Sequence, residues 1–216
     1  MDEVTITFAK LRLPTFSIKQ PEAFQVMASL PLPQPSTLIG ALAYSLGVYE
    51  GIGTPARDRV ARWVSEGKLL AARAKLAGKG YSTPFTVSPI VLRRFRIVDK
   101  AHERKKKGER SLMEELRLSI EQGAYPAVKH LIEVKGVDAL YRDYIVGVDM
   151  LCLWAFRGVE VSNRLFHLIQ RLGDTESLVS VTEVWSNRYS LREGKSADTE
   201  FPTPVDIVER AHGDYI

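Results

Sequence analysis

The chain has 216 residues, of which 45% are hydrophobic and 26% charged, with a formal net charge of +4. No apolar run is long enough to span a bilayer, and the N-terminal segment is not a signal sequence, so we expect a cytoplasmic protein. The single cysteine, Cys152, excludes an internal disulfide and a cysteine cluster, and neither a metal nor a cofactor is expected. No P-loop, dinucleotide fingerprint or Ser-His-Asp spacing supports an ATPase, a dehydrogenase or a hydrolase.

The chain begins with a strand pattern, in which Val4, Ile6 and Phe8 alternate with Thr5 and Thr7. Such alternation predicts a strand with one buried face, which here would carry the three apolar residues. We expect a long loop to follow it.

Three alternating prolines at positions 31–35 then stiffen the chain and delay any helix until Ser36. Ser36 or Thr37 is the expected cap, and Gly47 is the expected left-handed end of the helix. Gly40 lies in the opening turn, where a glycine lowers the stability of a helix. We therefore expect either another element or a bound phosphate to approach its backbone closely.

The remaining elements follow from apolar spacing and from capping signals. In chain order they are a helix from Thr54 to Gly67, strands at Leu69–Leu76 and Phe85–Val98, a helix opened by the capping box Ser111–Glu114, a buried strand at Tyr144–Phe156 with Trp154 in the core, a helix from Leu165 to Gly173, and a closing strand from Leu178 to Val184. This order predicts an α+β protein and fits a βαββαβ ferredoxin-like fold, the plan of RNA-recognition domains.

Positive charge is concentrated in one segment. It contains Arg93, Arg94, Arg96, Lys100, Arg104, Lys105, Lys106, Lys107 and Arg110. A solvated loop and a nucleic-acid contact both fit this pattern, and the aromatic residues Tyr81, Phe85 and Phe95 suit either a strand or base stacking.

Two stretches carry a family resemblance. Leu32–Gly47 (LPQPSTLIGALAYSLG) resembles the signature that follows the first strand in the Cas-five family of CRISPR-associated RAMP proteins. Leu172–Val181 (LGDTESLVSV) is similar to the glycine loop and last strand near the end of that fold. In its length, its long apolar strand and the loop at Leu172–Val179, the chain resembles the archaeal type I-A branch of that family.

The resemblance implies one RAMP domain over residues 1–216, with a thumb-like basic insertion at about 93–140 and an extended C-terminal tail at about 193–216. It also implies a non-catalytic subunit of a type I CRISPR surveillance (Cascade) complex, active in antiviral defence. Such a subunit binds the 5′ handle of the guide RNA and caps the backbone filament. Its partners would be the guide RNA, a backbone subunit, the large subunit and, indirectly, target DNA.

Single-stranded RNA requires cations for phosphates, aromatic faces for bases and backbone amides at tight turns. The candidate RNA-binding residues that meet these needs are Ser36, Thr37, Gly40, Arg93, Arg94, Arg96, Lys105, Lys106, Lys107, Gly173, Thr175 and Ser177. For Gly173 a plain helix C-cap is the competing interpretation.

Two other functions remain open. One branch of the family cleaves RNA without a metal, and Tyr44, Lys129 and His130 supply the residue types for such a site. The other alternative is a generic RNA-recognition-like assembly module whose basic loop meets an acidic partner.

Overall fold

The computed structural model describes residues 3–20, 26–77, 86–95, 110–174 and 177–211. Its strands are β1 (Glu3–Phe16), β2 (Val26–Met27), β3 (Leu69–Leu76), β4 (Thr86–Phe95), β5 (Val137–Phe156) and β6 (Ser180–Ser190). Its helices are α1 (Pro35–Glu50), α2 (Pro55–Ser65), α3 (Leu112–Glu121), α4 (Tyr125–Lys135) and the single turn α5 (Asn163–Phe166), and a 3-10 turn covers Val205–Ile207. The predicted α+β class is confirmed.

The chain divides into two compact units. The first comprises Met1–Pro21, Ala28–Ser88 and Tyr144–Ile216, and the second comprises Glu22–Met27 and Pro89–Asp143. Each unit is described by itself.

The first unit is organised around an antiparallel sheet in which the strands lie in the order β6-β1-β5-β3. Thr7 of β1 lies opposite Trp154 of β5 on one side and Ser186 of β6 on the other. Ala72 of β3 lies opposite Trp154 from the far side of β5. The register therefore places one row of residues across all four strands.

The buried face of β1 differs from the expected one. Thr7 is buried, together with Ala9 and Leu11, whereas Ile6 and Phe8 are only half-buried. The predicted assignment of Ile6 and Phe8 to the core was wrong, because the helices cover the face that carries Thr7. Its hydroxyl is bonded to Ser186 Oγ at 2.9 Å, which allows a polar side chain at a core position.

The core of the first unit lies between this face and the helices. Trp154 is completely buried, as predicted, and its ring lies 4.9 Å from that of Phe166. Its indole Nε1 donates a hydrogen bond to the Leu38 carbonyl of α1 at 3.2 Å. Cys152 is a buried free thiol in the same strand, which confirms its assignment to the core.

Helix α1 continues past its predicted end. Gly47 is buried inside the helix, and the left-handed residue is Gly51, with φ of 68°. A Cβ at Gly47 would lie 2.8 Å from the carbonyl oxygen of Gly53 and 3.3 Å from Cβ of Ala56. Gly47 is therefore needed for close packing of α1 against the start of α2 and not for ending the helix. Helix α2 itself lies where Thr54 and Pro55 predicted it.

The helix predicted from Leu165 to Gly173 is wrong in extent. Only the turn α5 forms, although Leu165, Ile169 and Leu172 are buried as the apolar stripe requires. Beyond the turn the backbone pairs with the segment before β6: Val179 N donates to Gln170 O at 2.9 Å, and Leu172 N donates to Ser177 O at 3.1 Å. This local pairing replaces the helical hydrogen bonds.

The second unit contains α3 and α4, and in it β2 runs parallel to the start of β5. The capping box of α3 is confirmed: Glu114 N donates to Ser111 Oγ at 3.2 Å, and Ser111 N donates to the Glu114 carboxylate at 2.8 Å. Helix α4 was not predicted. An ion pair of 2.5 Å between Lys135 and Glu115 links the two helices.

Beyond β6 the chain from Leu191 to Pro204 has no regular structure, and its residues are largely exposed. The described residues include no helix that is both long and apolar enough to cross a bilayer.

Candidate nucleic-acid interface

The tip of α1 is held by its proline approach. Pro35 is the first helical residue, and the N-cap is Gln34, whose carbonyl accepts hydrogen bonds from Thr37 N at 3.0 Å and Leu38 N at 3.3 Å. The predicted caps Ser36 and Thr37 were wrong, because a proline is tolerated at the first helical position and lets the helix start earlier.

Both predicted caps consequently keep their hydroxyls available. In the ranges that the structure describes, neither the Ser36 nor the Thr37 hydroxyl has a hydrogen-bond partner. Ser36 is exposed and Thr37 is half-buried. The tip therefore presents two hydroxyl groups that a ligand can bind.

Gly40 lies one turn further along the exposed side of α1. A Cβ built there would have no heavy atom within 4 Å, so no described element makes the close approach that the sequence suggested. Ser36, Gly40 and Tyr44 are spaced four residues apart and form one exposed row, opposite the buried Leu38 and Leu42. We call these three residues the α1 row.

Tyr44 closes the α1 row with an aromatic ring that is 53% exposed. Its hydroxyl donates to Gln170 Oε1 at 3.2 Å, which fixes the ring on the helix surface. The sequence interpretation considered Tyr44 only for catalysis and missed its position beside Gly40. The i, i+4, i+8 spacing of Ser36, Gly40 and Tyr44 was the sequence signal that these residues share one face of the helix.

The Gly173 loop has a structural role. Gly173 has φ of +100°, and a Cβ there would lie 2.7 Å from both the Ser17 carbonyl oxygen and Cγ1 of Ile18. Ser177 is completely buried, with its Oγ accepting from Ser17 N at 3.0 Å and donating to Ser17 O at 3.3 Å. The C-cap interpretation of Gly173 was wrong, and the Ser177 hydroxyl is occupied. Thr175 lies outside the described residues.

The basic candidates for phosphate contacts lie outside the described side chains. Arg93 and Arg94 belong to β4, but their side chains lie outside the described part of the chain, as do Arg96 and residues 105–107. Their contacts with phosphate remain a prediction.

The residues of the nuclease alternative are divided between the units. Tyr44 belongs to the first unit, and Lys129 and His130 lie on α4 of the second. Lys129 is exposed and lies 4.0 Å from the carboxylate of Glu133, and His130 is exposed as well. A catalytic role for these three residues stays a prediction.

A basic cleft on α2 was not predicted. It has a volume of about 220 Å³ and is lined by Arg59, Arg62, Trp63, Glu66 and Lys68. Lys68 lies 2.6 Å from the Glu66 carboxylate, and this hydrogen bond lowers the pKa of Glu66. The helical spacing of Arg59, Arg62 and Trp63 was the sequence signal for it.

The sequence and structure of this chain were compared with those of known proteins. No protein-family model matches the chain. It is 27% identical to the CRISPR-associated protein Cas5 of Methanocaldococcus jannaschii over 179 residues, which are 80% of this chain and 60% of the relative. It is also 27% identical to Cas5 of Thermoproteus tenax over 173 residues, which are 80% of this chain and 62% of that protein.

The chain thus spans about 60% of the length of these curated relatives. A crystal structure of a CRISPR protein from Archaeoglobus fulgidus aligns with a TM-score of 0.44 and 18% identity, over 84% of this chain and 63% of that one. The similarity to these two relatives supports the resemblance to the Cas5 family that the Leu32–Gly47 motif carries.

Proposed function

We propose that this chain is a non-catalytic subunit of a type I CRISPR surveillance complex, in which it binds the 5′ handle of the guide RNA and caps the backbone filament. Its partners are then the guide RNA, the backbone and large subunits and, through the complex, target DNA. The archaeal origin of both curated relatives supports a type I-A assignment.

The observation that carries this proposal is the α1 row. Gly40 is the position where a backbone can approach α1 most closely, because open space surrounds it. The exposed Ser36 hydroxyl on one side of it can bind a phosphate oxygen, and the exposed Tyr44 ring on the other can stack on a base. Together they offer a short unpaired RNA a polar contact, a close approach and a stacking surface.

The strand order supports a ferredoxin-like domain. In β6-β1-β5-β3 every neighbouring pair is antiparallel, and the strands that follow α1 and α5 lie at opposite edges. This is the arrangement expected of a βαββαβ unit whose second helix is reduced to one turn. The second compact unit, with its segment Pro89–Asp143, is then the thumb-like insertion, and its arginines and lysines are the proposed phosphate contacts.

Two tyrosines of α1 provide the test. Tyr44 and Tyr49 are 53% and 46% exposed, but only Tyr44 belongs to the α1 row. We expect Tyr44→Ala to weaken binding of a repeat-derived 5′ handle RNA by about tenfold, the loss of one stacked base. Fluorescence anisotropy, with the backbone subunit present, measures this.

Tyr49→Ala is the matched control and should bind like the wild type. Equal losses in both variants, or in neither, would contradict the assignment of the α1 row. Raising the salt concentration should lower log affinity with a slope of roughly 0.7 for each phosphate contacted in single-stranded RNA. A slope near zero would contradict phosphate contacts altogether.

The non-catalytic part of the proposal requires its own experiment. Purified protein incubated with repeat RNA, without a metal, should leave the RNA intact. Cleavage that is abolished in both His130→Ala and Tyr44→Phe would establish the nuclease alternative instead. Tyr44→Phe keeps the ring for stacking and removes only the hydroxyl, so RNA binding and cleavage are separable at this residue.

A further inference from the structure

The sheet of the first unit has a second face, which the core does not use. Alternate residues of its four strands lie there, opposite the face that carries Thr7 and Trp154. We call this surface the outer face. Its members in register are Phe8, Lys10 and Arg12 of β1, Asp149, Leu151 and Leu153 of β5, Arg73 and Lys75 of β3, and Glu183 and Trp185 of β6.

An aromatic pair lies on this face. Phe8 and Trp185 are opposite each other on β1 and β6, with ring centroids 5.3 Å apart and planes inclined by 15°. Both side chains are half-buried, so part of the stacked pair remains accessible. Rings displayed on a sheet surface are the groups on which single-stranded nucleic acids stack their bases.

Cations share the outer face with the aromatic pair, on β1 and β3. The outer face carries four cations and two carboxylates. The cations are Lys10, Arg12, Arg73 and Lys75, and the carboxylates are Asp149 and Glu183. Arg12 donates two hydrogen bonds to the Asp149 carboxylate. The remaining excess of positive charge complements a chain of phosphates.

The C-terminal tail reaches the outer face at Lys75. The Lys75 ammonium forms an ion pair with the Glu200 carboxylate and lies 5.6 Å from the centroid of the Phe201 ring. The segment from Asp198 to Glu209 contains four carboxylates and neither lysine nor arginine. An acidic segment with an aromatic ring thus lies on basic β3, at the opposite edge of the sheet from β6, which carries Trp185 of the aromatic pair.

From these contacts we infer that the outer face is a second binding site, for single-stranded nucleic acid, and that the tail occupies it in the absence of that ligand. Glu200 takes the place of a phosphate on Lys75, and Phe201 takes the place of a base beside the same cation. Nucleic acid and tail cannot both hold the Lys75 ammonium. They therefore compete for one surface, which is separate from the α1 row.

Full-length variants of the tail test the competition. The double variant Glu200→Gln/Phe201→Ala removes both contacts with Lys75. We expect it to bind a fluorescein-labelled oligouridylate of about 12 nucleotides roughly three- to tenfold more tightly than the wild type, the range that an exposed ion pair and a cation–π contact can contribute. Anisotropy gives the affinity, and quenching of tryptophan fluorescence reports stacking.

The control is Val205→Ala/Ile207→Ala, which changes two tail residues that are 86% and 71% exposed, and it should bind like the wild type. Adding Trp185→Leu to the tail variant should abolish both the gain in affinity and the added quenching, while leucine keeps the strand apolar. Unchanged affinity in the tail variant, or a gain that survives Trp185→Leu, would overturn the inference. Tyr44→Ala should leave the gain intact, which separates this result from the test of the α1 row.

Discussion

Arg12 and Asp149 face each other across β1 and β5, and two hydrogen bonds of 3.0 and 3.3 Å join the guanidinium to the carboxylate. This two-point contact lowers the pKa of Asp149 from its ordinary value of 3.8. The pKa of this carboxyl is lower in the folded protein than in the unfolded chain, so the contact with Arg12 stabilises the folded protein above about pH 3.8. That stabilisation is lost as the pH falls through the folded-state pKa of Asp149.

Asp149→Asn should therefore reduce the pH dependence of stability at the acidic end. Urea unfolding near neutrality and at roughly pH 3 measures it: the wild type should lose more stability between the two than the variant. Asp206→Asn, at an exposed tail position, is the control and should match the wild type. If Asp149→Asn and the wild type lost the same unfolding free energy at acid pH, the contact between Arg12 and Asp149 would not persist in solution.

The two glycines of α1 should respond to alanine with opposite signs. Gly40→Ala places a methyl group in open space and should stabilise the protein by about 1 kcal/mol, the usual helix preference. Gly47→Ala forces a Cβ to 2.8 Å from the Gly53 carbonyl oxygen and should destabilise by about 1–3 kcal/mol. Chemical denaturation compares them. A destabilising Gly40→Ala would show that another part of the chain covers this position.

Ser177 and Ser36 form a second contrasting pair. Ser177→Ala leaves the buried Ser17 amide without its 3.0 Å acceptor and should cost about 1–3 kcal/mol of unfolding free energy. Ser36→Ala removes an exposed hydroxyl and should stay within about 0.5 kcal/mol of wild type. The reverse order of losses would contradict the packing of the Gly173 loop against the end of β1.

Cys152 should be chemically silent in the folded protein. Burial raises the pKa of its thiol and shields it from reagents. A disulfide reagent added to native protein should therefore label it only at the rate of unfolding, and labelling should become rapid in denaturant. Fast labelling of the native state would mean that β5 is accessible.

Elements with local signals were predictable from the sequence. The capping box at Ser111 and the proline start of α2 were located correctly, because a few adjacent residues determine each of them. The buried strand around Trp154 was recognisable by its unbroken apolar run. Each of these signals acts within one element and needs no knowledge of its neighbours.

The errors arose where tertiary contacts decided the outcome. Gly47 looks like a helix end, but the approach of Gly53 makes it an interior position. The apolar stripe from Leu165 to Leu172 is buried without being helical, because that backbone pairs with the segment around Ser177. Likewise Thr7 enters the core only because β6 supplies Ser186 as a partner. Such pairings join residues far apart in the chain, which periodicity does not report.

The hydrogen bond from the Trp154 indole to the Leu38 carbonyl couples the first turns of α1 to the most buried strand of the sheet. The helix tip is thus preorganised before any ligand arrives, and little conformational entropy remains to be lost on association. A mutation that loosens Trp154 should therefore weaken the proposed RNA binding at the α1 row, which the indole never touches, chiefly by raising the dissociation rate.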